Sequence, residues 1–177
     1  LLLKGHRASA IRFLLISVPY RHQMNFTFDS LEESKNAVER LRTFHQRMLK
    51  GGFTEGLDPE IAAATAKAEH DYAGALANDL NTAEARAAIF DLVRAANSAA
   101  DAGTLRSGNA AEILRVLTLF DAVFAVLTDN DAAITRDALA WAESEGRISE
   151  AAPELVATLS LTDADIDALV AERTQAK

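Results

Sequence analysis

The chain has 177 residues, 49% hydrophobic and 25% charged, a composition that suits a globular protein and excludes collagen-like, mucin-like and wholly disordered classes. Thirty-six alanines against eleven aromatic residues favour closely packed helices over an aromatic-rich β-sandwich. Zero cysteines exclude a disulfide framework, a thiolate zinc site and a cysteine nucleophile in this stretch, and they fit a reducing compartment. The net charge of −8 is unevenly spread: residues 1–50 hold nine Lys/Arg against four acids, hence +5, and the remainder sums to −13. A basic head on an acidic body suits an anion-binding surface at one end.

The longest apolar stretch near the start, Phe13 to Ile16, is far short of a membrane span. Leu1 to Leu3 followed by Lys4 inverts the charge order of a secretory signal, and with no initiating Met the chain is expected to be a piece of a longer protein. Ala8 to Val18 reads as a short buried helix ended by Pro19, and Tyr20 to Asp29 as a loop or extended segment laying aromatic side chains on the core. Ser30 and Glu33 form an expected capping box for a helix with the stripe Leu31, Val38, Leu41, Phe44 and Met48, which Gly51-Gly52 stops. Asp58-Pro59-Glu60 opens the next helix, carried to about Ala77.

The polar break Asn78 to Asn81 precedes a helix capped by Thr82 and running toward Gly103. Asn109 is expected to cap a strongly apolar helix through Ile113, Leu117, Phe120, Val123, Phe124 and Leu127, apolar enough for the centre of a bundle. Thr135 to Glu145 is amphipathic, Pro153 opens a short turn, and Thr162 with Asp165 caps a final helix. Short connections without βαβ alternation make the expected fold an all-α helical bundle with a small element at its N-terminal edge.

The motifs of catalysis fail in turn. His6, His22, His45 and His70 lack ligand spacing for a metal. Asp163, Asp165 and Asp167 imitate a calcium loop, but Ala168 and Thr174 stand where Gly and Glu are required. Gly103 and Gly108 have phosphate-loop separation, but Asn109 and Ala110 replace the Lys and Ser/Thr. No serine has the Gly-x-Ser-x-Gly setting. These patterns supply no active site, and patterning alone does not choose a partner.

Two stretches narrow the choice. Ser9-Ala10-Ile11-Arg12-Phe13-Leu14-Leu15-Ile16-Ser17-Val18-Pro19-Tyr20-Arg21, followed by Met24-Asn25-Phe26-Thr27-Phe28, resembles the segment of bacterial cysteinyl-tRNA synthetases that follows their lysine-rich catalytic loop. Asn78-Asp79-Leu80-Asn81-Thr82-Ala83-Glu84-Ala85, with Ala88-Ile89-Phe90, is similar to a later helical signature of that family, which usually has Asp at position 78 and Pro at position 83.

The resemblance implies a class I synthetase fold of the anticodon-stem-binding type, with 1–28 a stem-contact region, 29–147 a tRNA-binding bundle and 148–177 the start of a distal region. It implies a cytoplasmic, monomeric parent that activates cysteine with ATP, uses a zinc ion and charges tRNA(Cys). That chemistry, with its cofactors, would lie in a catalytic domain N-terminal to Leu1, leaving this segment non-catalytic with tRNA and that domain as partners. Two competing readings are a homologous ligase joining cysteine to an amino sugar and a helical interaction module without an enzyme.

On this reading Arg40 and Arg47, seven apart, and Lys35 and Arg42, likewise, form two basic ridges on one helix, with Arg21 and His22 in the preceding loop as further phosphate contacts. Arg12 is expected to bridge to a buried carboxylate. Tyr20, Phe26 and Phe28 are expected to pack in the core rather than stack on bases, and Asp79, Asn81 and Thr82 to fix the inter-helix turn.

Overall fold

Prolines, glycines and short polar side chains set the helix boundaries in the computed structural model, which describes residues 1–159. The described helices are α1 (Ala8–Ile16), α2 (Phe28–Lys50), α3 (Pro59–Ala77), α4 (Thr82–Asp101), α5 (Ser107–Phe124), α6 (Asp131–Ser144) and α7 (Pro153–Leu159), with 3-10 turns at Leu2–Lys4 and Ile148–Glu150. Among the described residues β pairing is confined to an isolated bridge between Thr54 and Arg106, so the all-α bundle is the observed architecture. The expected cap at Thr162 and the aspartates Asp163, Asp165 and Asp167 lie outside the described residues.

Several caps differ from the expectation by a few residues. α2 starts at Phe28, two residues before Ser30, because Thr27 holds extended backbone and its hydroxyl accepts from the Ser30 amide at 3.0 Å. Ser30 returns the bond to the Thr27 amide at 3.2 Å, so it takes the third-position role assigned to Glu33. Asn81, not Thr82, caps α4 by accepting from the Glu84 amide. α6 begins at Asp131, four residues before Thr135. The predicted opening of α3 is observed: the Asp58 carboxylate accepts from the amides of Glu60 and Ile61, with Pro59 as the first helical residue.

Contacts divide the chain into two compact units, Ser9–Asp129 and a second that joins Leu1–Ala8 to the described residues from Asn130 onward. In the larger unit α5 is the centre. Ile113, Val116, Leu117, Phe120 and Phe124 are wholly buried, and Phe120 stacks on Phe124 with ring centroids 4.2 Å apart. Phe13 of α1, Leu41 and Phe44 of α2, Tyr72 of α3 and Ile89 of α4 complete the same cluster. In the smaller unit Leu139 and Ala142 are buried on α6, the Ala152 amide donates to the Leu3 carbonyl, and Arg147 lies over the Trp141 ring while pairing with Glu150.

Asn109 is fully buried in the first turn of α5, three residues after the N-cap position, which Arg106 takes, and it serves the helix start from there. Its Oδ1 accepts from the amides of Asp58 at 2.8 Å and Arg106 at 3.3 Å, while Nδ2 donates to the Asp58 carbonyl at 2.9 Å. One side chain thus satisfies backbone groups of two segments that helices leave unpaired. The seam is tight, since the Gly108 amide donates to the Gly56 carbonyl and a Cβ at Gly108 would come within 2.8 Å of that oxygen.

Asn109→Ala is expected to destabilise the chain by about 3 kcal/mol in urea unfolding, because it orphans buried backbone donors and an acceptor; a loss under about 0.5 kcal/mol would show that water replaces the amide. Burial pushes the Tyr72 phenol up to about 12, and the hydroxyl donates to the Leu119 carbonyl. Folding favours its neutral form, so the stability it contributes is complete below pH 10, the unfolded value, and is lost as pH rises toward 12. Absorbance titration at 295 nm should show one phenol ionising near pH 12, and Tyr72→Phe should remove that step.

Candidate nucleic-acid interface

The six basic residues singled out in the sequence fall into different environments. Arg42 is not on an open ridge, since its side chain is only 11% exposed and pairs with Asp129 at 3.0 Å. Its Nε donates to the Val126 carbonyl and its Nη2 to the Thr128 carbonyl, in the loop that follows α5. Arg12 does related work on the same segment by donating to the Ala125 carbonyl at 2.9 Å, so its partner is a backbone oxygen and not the carboxylate expected. Asp121 completes the arrangement, accepting from the amides of Val126 and Leu127 around the left-handed residue Ala125.

Arg47 links α2 to α4 through Asn97 at 2.9 Å and Asp101 at 2.7 Å. Lys35 pairs with Glu32 one turn earlier on α2. Arg21 lies over the Tyr20 ring and meets Asp79, whose carboxylate also accepts from the Tyr20 hydroxyl at 2.8 Å. That pair of bonds ties the α1–α2 loop to the α3–α4 turn, in which Asp79 and Leu80 both have positive φ. His22 is exposed in the same loop.

Tyr20, Phe26 and Phe28 are not core residues. They are 62%, 37% and 65% exposed, and Phe26 and Phe28 meet edge to face with centroids 6.0 Å apart. The alternation that suggested an extended segment continues only to Thr27, where α2 begins and turns Phe28 outward.

Arg40 is the residue of the six that faces a cavity with no carboxylate partner among the described residues, its guanidinium 5.6 Å from the Phe90 ring centroid. A cavity of about 710 Å³ between α2 and α4 is lined by Arg40, Thr43, Arg47, Phe90 and Arg94. A second, of about 520 Å³, is bounded by α1, α2 and α4 and lined by Ser17, Ser34, Arg40, Arg86, Phe90 and Arg94. Arg40, Phe90 and Arg94 line both, so the two volumes adjoin. Arg86 and Arg94 escaped the sequence reading because they lie in the acidic part of the chain, although Arg86, Phe90 and Arg94 recur every four residues on one face of α4.

Residues 71–128, from late α3 through α5, match the DALR domain, and that stretch of the helical bundle is similar to it. Over its full length the chain is 46% identical to the cysteine-tRNA ligase of Koribacter versatilis (strain Ellin345), covering 36% of that protein. It is 42% identical to that of Solibacter usitatus (strain Ellin6076), covering all of this chain and 33% of the relative. The cysteine-tRNA ligase of Oenococcus oeni (strain ATCC BAA-331 / PSU-1) is 38% identical over 66% of this chain and 25% of its own length. The chain is homologous to a segment of cysteine-tRNA ligases and spans about a third of the length of the curated relatives it matches. No described helix is long and apolar enough to cross a membrane.

Arg42→Ala is expected to lower stability by about 2 kcal/mol in urea unfolding, because it strips carbonyls of their donor and strands Asp129, whereas Arg40→Ala should stay within about 0.5 kcal/mol. Equal losses in the two variants would contradict the division between structural and available arginines.

Proposed function

We propose that this chain is the tRNA-positioning part of a cysteine-tRNA ligase, holding tRNA(Cys) while other parts of that enzyme activate cysteine with ATP, use a zinc ion and transfer the aminoacyl group. The observation that carries the reading is the match along the whole chain to proteins named for that reaction. The DALR match and the arginine-lined cavities of the larger unit support it. Residues 1–28 would meet the region next to the acceptor stem, 29–147 the inside of the tRNA, and 148–177 would begin a distal part. The parent would be cytoplasmic and monomeric, with its catalytic domain as this segment's partner in the same chain.

On this reading the described residues supply no chemical step. They supply fixed positive charge and a rigid helical face, which set the register of a phosphate backbone without reading bases. Of the six sequence candidates, Arg21, His22, Lys35 and Arg40 are the ones exposed or half exposed without bracing the end of α5, and Arg47 would trade an intramolecular carboxylate for a phosphate.

A salt titration of the chain with transcribed tRNA(Cys), and an unrelated tRNA beside it, tests the proposal. Neutralising about four phosphates predicts a slope of log affinity against log salt near −3, with little preference between the tRNAs. Absence of binding at low salt would reject the tRNA-positioning role.

A further inference from the structure

Arg40 and Arg86 share an unusual condition. Each guanidinium sits over an aromatic ring, Arg40 over Phe90 at 5.6 Å and Arg86 over Phe13 at 5.7 Å, and no carboxylate of the described residues pairs with either. Both line the cavity bounded by α1, α2 and α4. Every other arginine around these cavities has a partner: Arg94 pairs with Asp91, and Arg47 with Asp101. A ring face fixes the plane of a guanidinium while leaving its N–H edge unfilled, and that edge matches two oxygens of a phosphate.

We propose that the groove between α1, α2 and α4 seats the phosphodiester backbone of the bound RNA, with Arg40 and Arg86 as its positioning residues. This rests on the tRNA reading above and says where on the larger unit the backbone lies. The two rings hold the forks in place before the RNA arrives, so less side-chain freedom is lost on binding. Arg94 adds a third charge at low cost, because its bond to Asp91 joins two side chains that are 76% and 71% exposed and exchanges readily for a phosphate. Ser17, Ser30 and Ser34 bring small hydroxyl side chains to the same wall, which lets a backbone approach. Glu33 lines the groove and Glu39 the adjoining cavity, and both oppose an anion, so binding depends on the placement of the arginines rather than on net charge. Arg12 and Arg42 are excluded from this role by their bonds to the end of α5.

The experiment is the salt titration of tRNA(Cys) transcript binding by the 177-residue chain and three variants. In Arg40→Gln/Arg86→Gln the stems remain but both charges go, and the slope should become shallower by about 1.4, at about 0.7 per phosphate contact. Affinity at low salt should fall at least tenfold. Arg40→Lys/Arg86→Lys should restore the slope but not the full affinity, since an ammonium keeps the charge and loses the planar fork. Arg40→Gln alone, on an exposed side chain, should make the slope shallower by about 0.7, which decides the matter if the double variant does not fold. Unchanged slope and affinity in the glutamine variants, with wild-type binding intact, would overturn the groove and leave the tRNA reading standing. No binding by the wild-type chain would overturn both.

Discussion

The end of α5 is the point on which the larger unit depends. The helix contributes five wholly buried side chains to the core, and directly after it the chain must reverse at the left-handed residue Ala125. Arg12 from α1 and Arg42 from α2 donate to the carbonyls of Ala125, Val126 and Thr128, and Asp121 accepts from the two amides that follow the turn. The cationic side chains also oppose the negative end of the helix dipole. Two segments distant in sequence, α1 and α2, are thereby fixed against one helix terminus by polar bonds, around a core whose apolar contacts carry little directional information.

That arrangement decides which part of the basic head can meet a partner. A guanidinium that caps a helix end is spent, and drawing it away would reopen the turn. Arg40 lies two residues before Arg42 on α2, on a different face, and it rests on Phe90 instead. Helical rotation therefore separates a structural arginine from an available one within a single turn. On α4 a four-residue spacing brings Arg86, Phe90 and Arg94 to the wall facing Arg40, so the cavities gather positive charge from a segment whose overall balance is acidic.

Much of the fold was legible because apolar spacing and turn residues agree. The stripe from Leu31 to Met48, the stop at Gly51 and the Asp58-Pro59 opening are all observed, as is α5 at the centre. The displaced caps have a local cause: Thr27 and Ser30 offer the same reciprocal bonds as Ser30 and Glu33, and only backbone φ and ψ choose between them. Asn109 looked like a cap because asparagine often is one, but two of its three bonds go to Asp58, 51 residues away, which periodicity does not report. The site was less legible for the same reason. Spacing placed Arg40 and Arg47 together and Lys35 and Arg42 together, yet tertiary partners divide each pair. Exposure of Tyr20, Phe26 and Phe28 was missed because aromatic character alone points inward.

Amide hydrogen exchange of the chain with and without tRNA(Cys) transcript tests this account most directly, since it maps where the RNA lies without altering any residue. The account predicts slowed exchange on α2 around Arg40, on α4 from Arg86 to Arg94 and in the α1–α2 loop, with the α3 and α5 faces unchanged. Slowing confined to α3 and α5, or none on α2 and α4 under conditions where the RNA is bound, would contradict it.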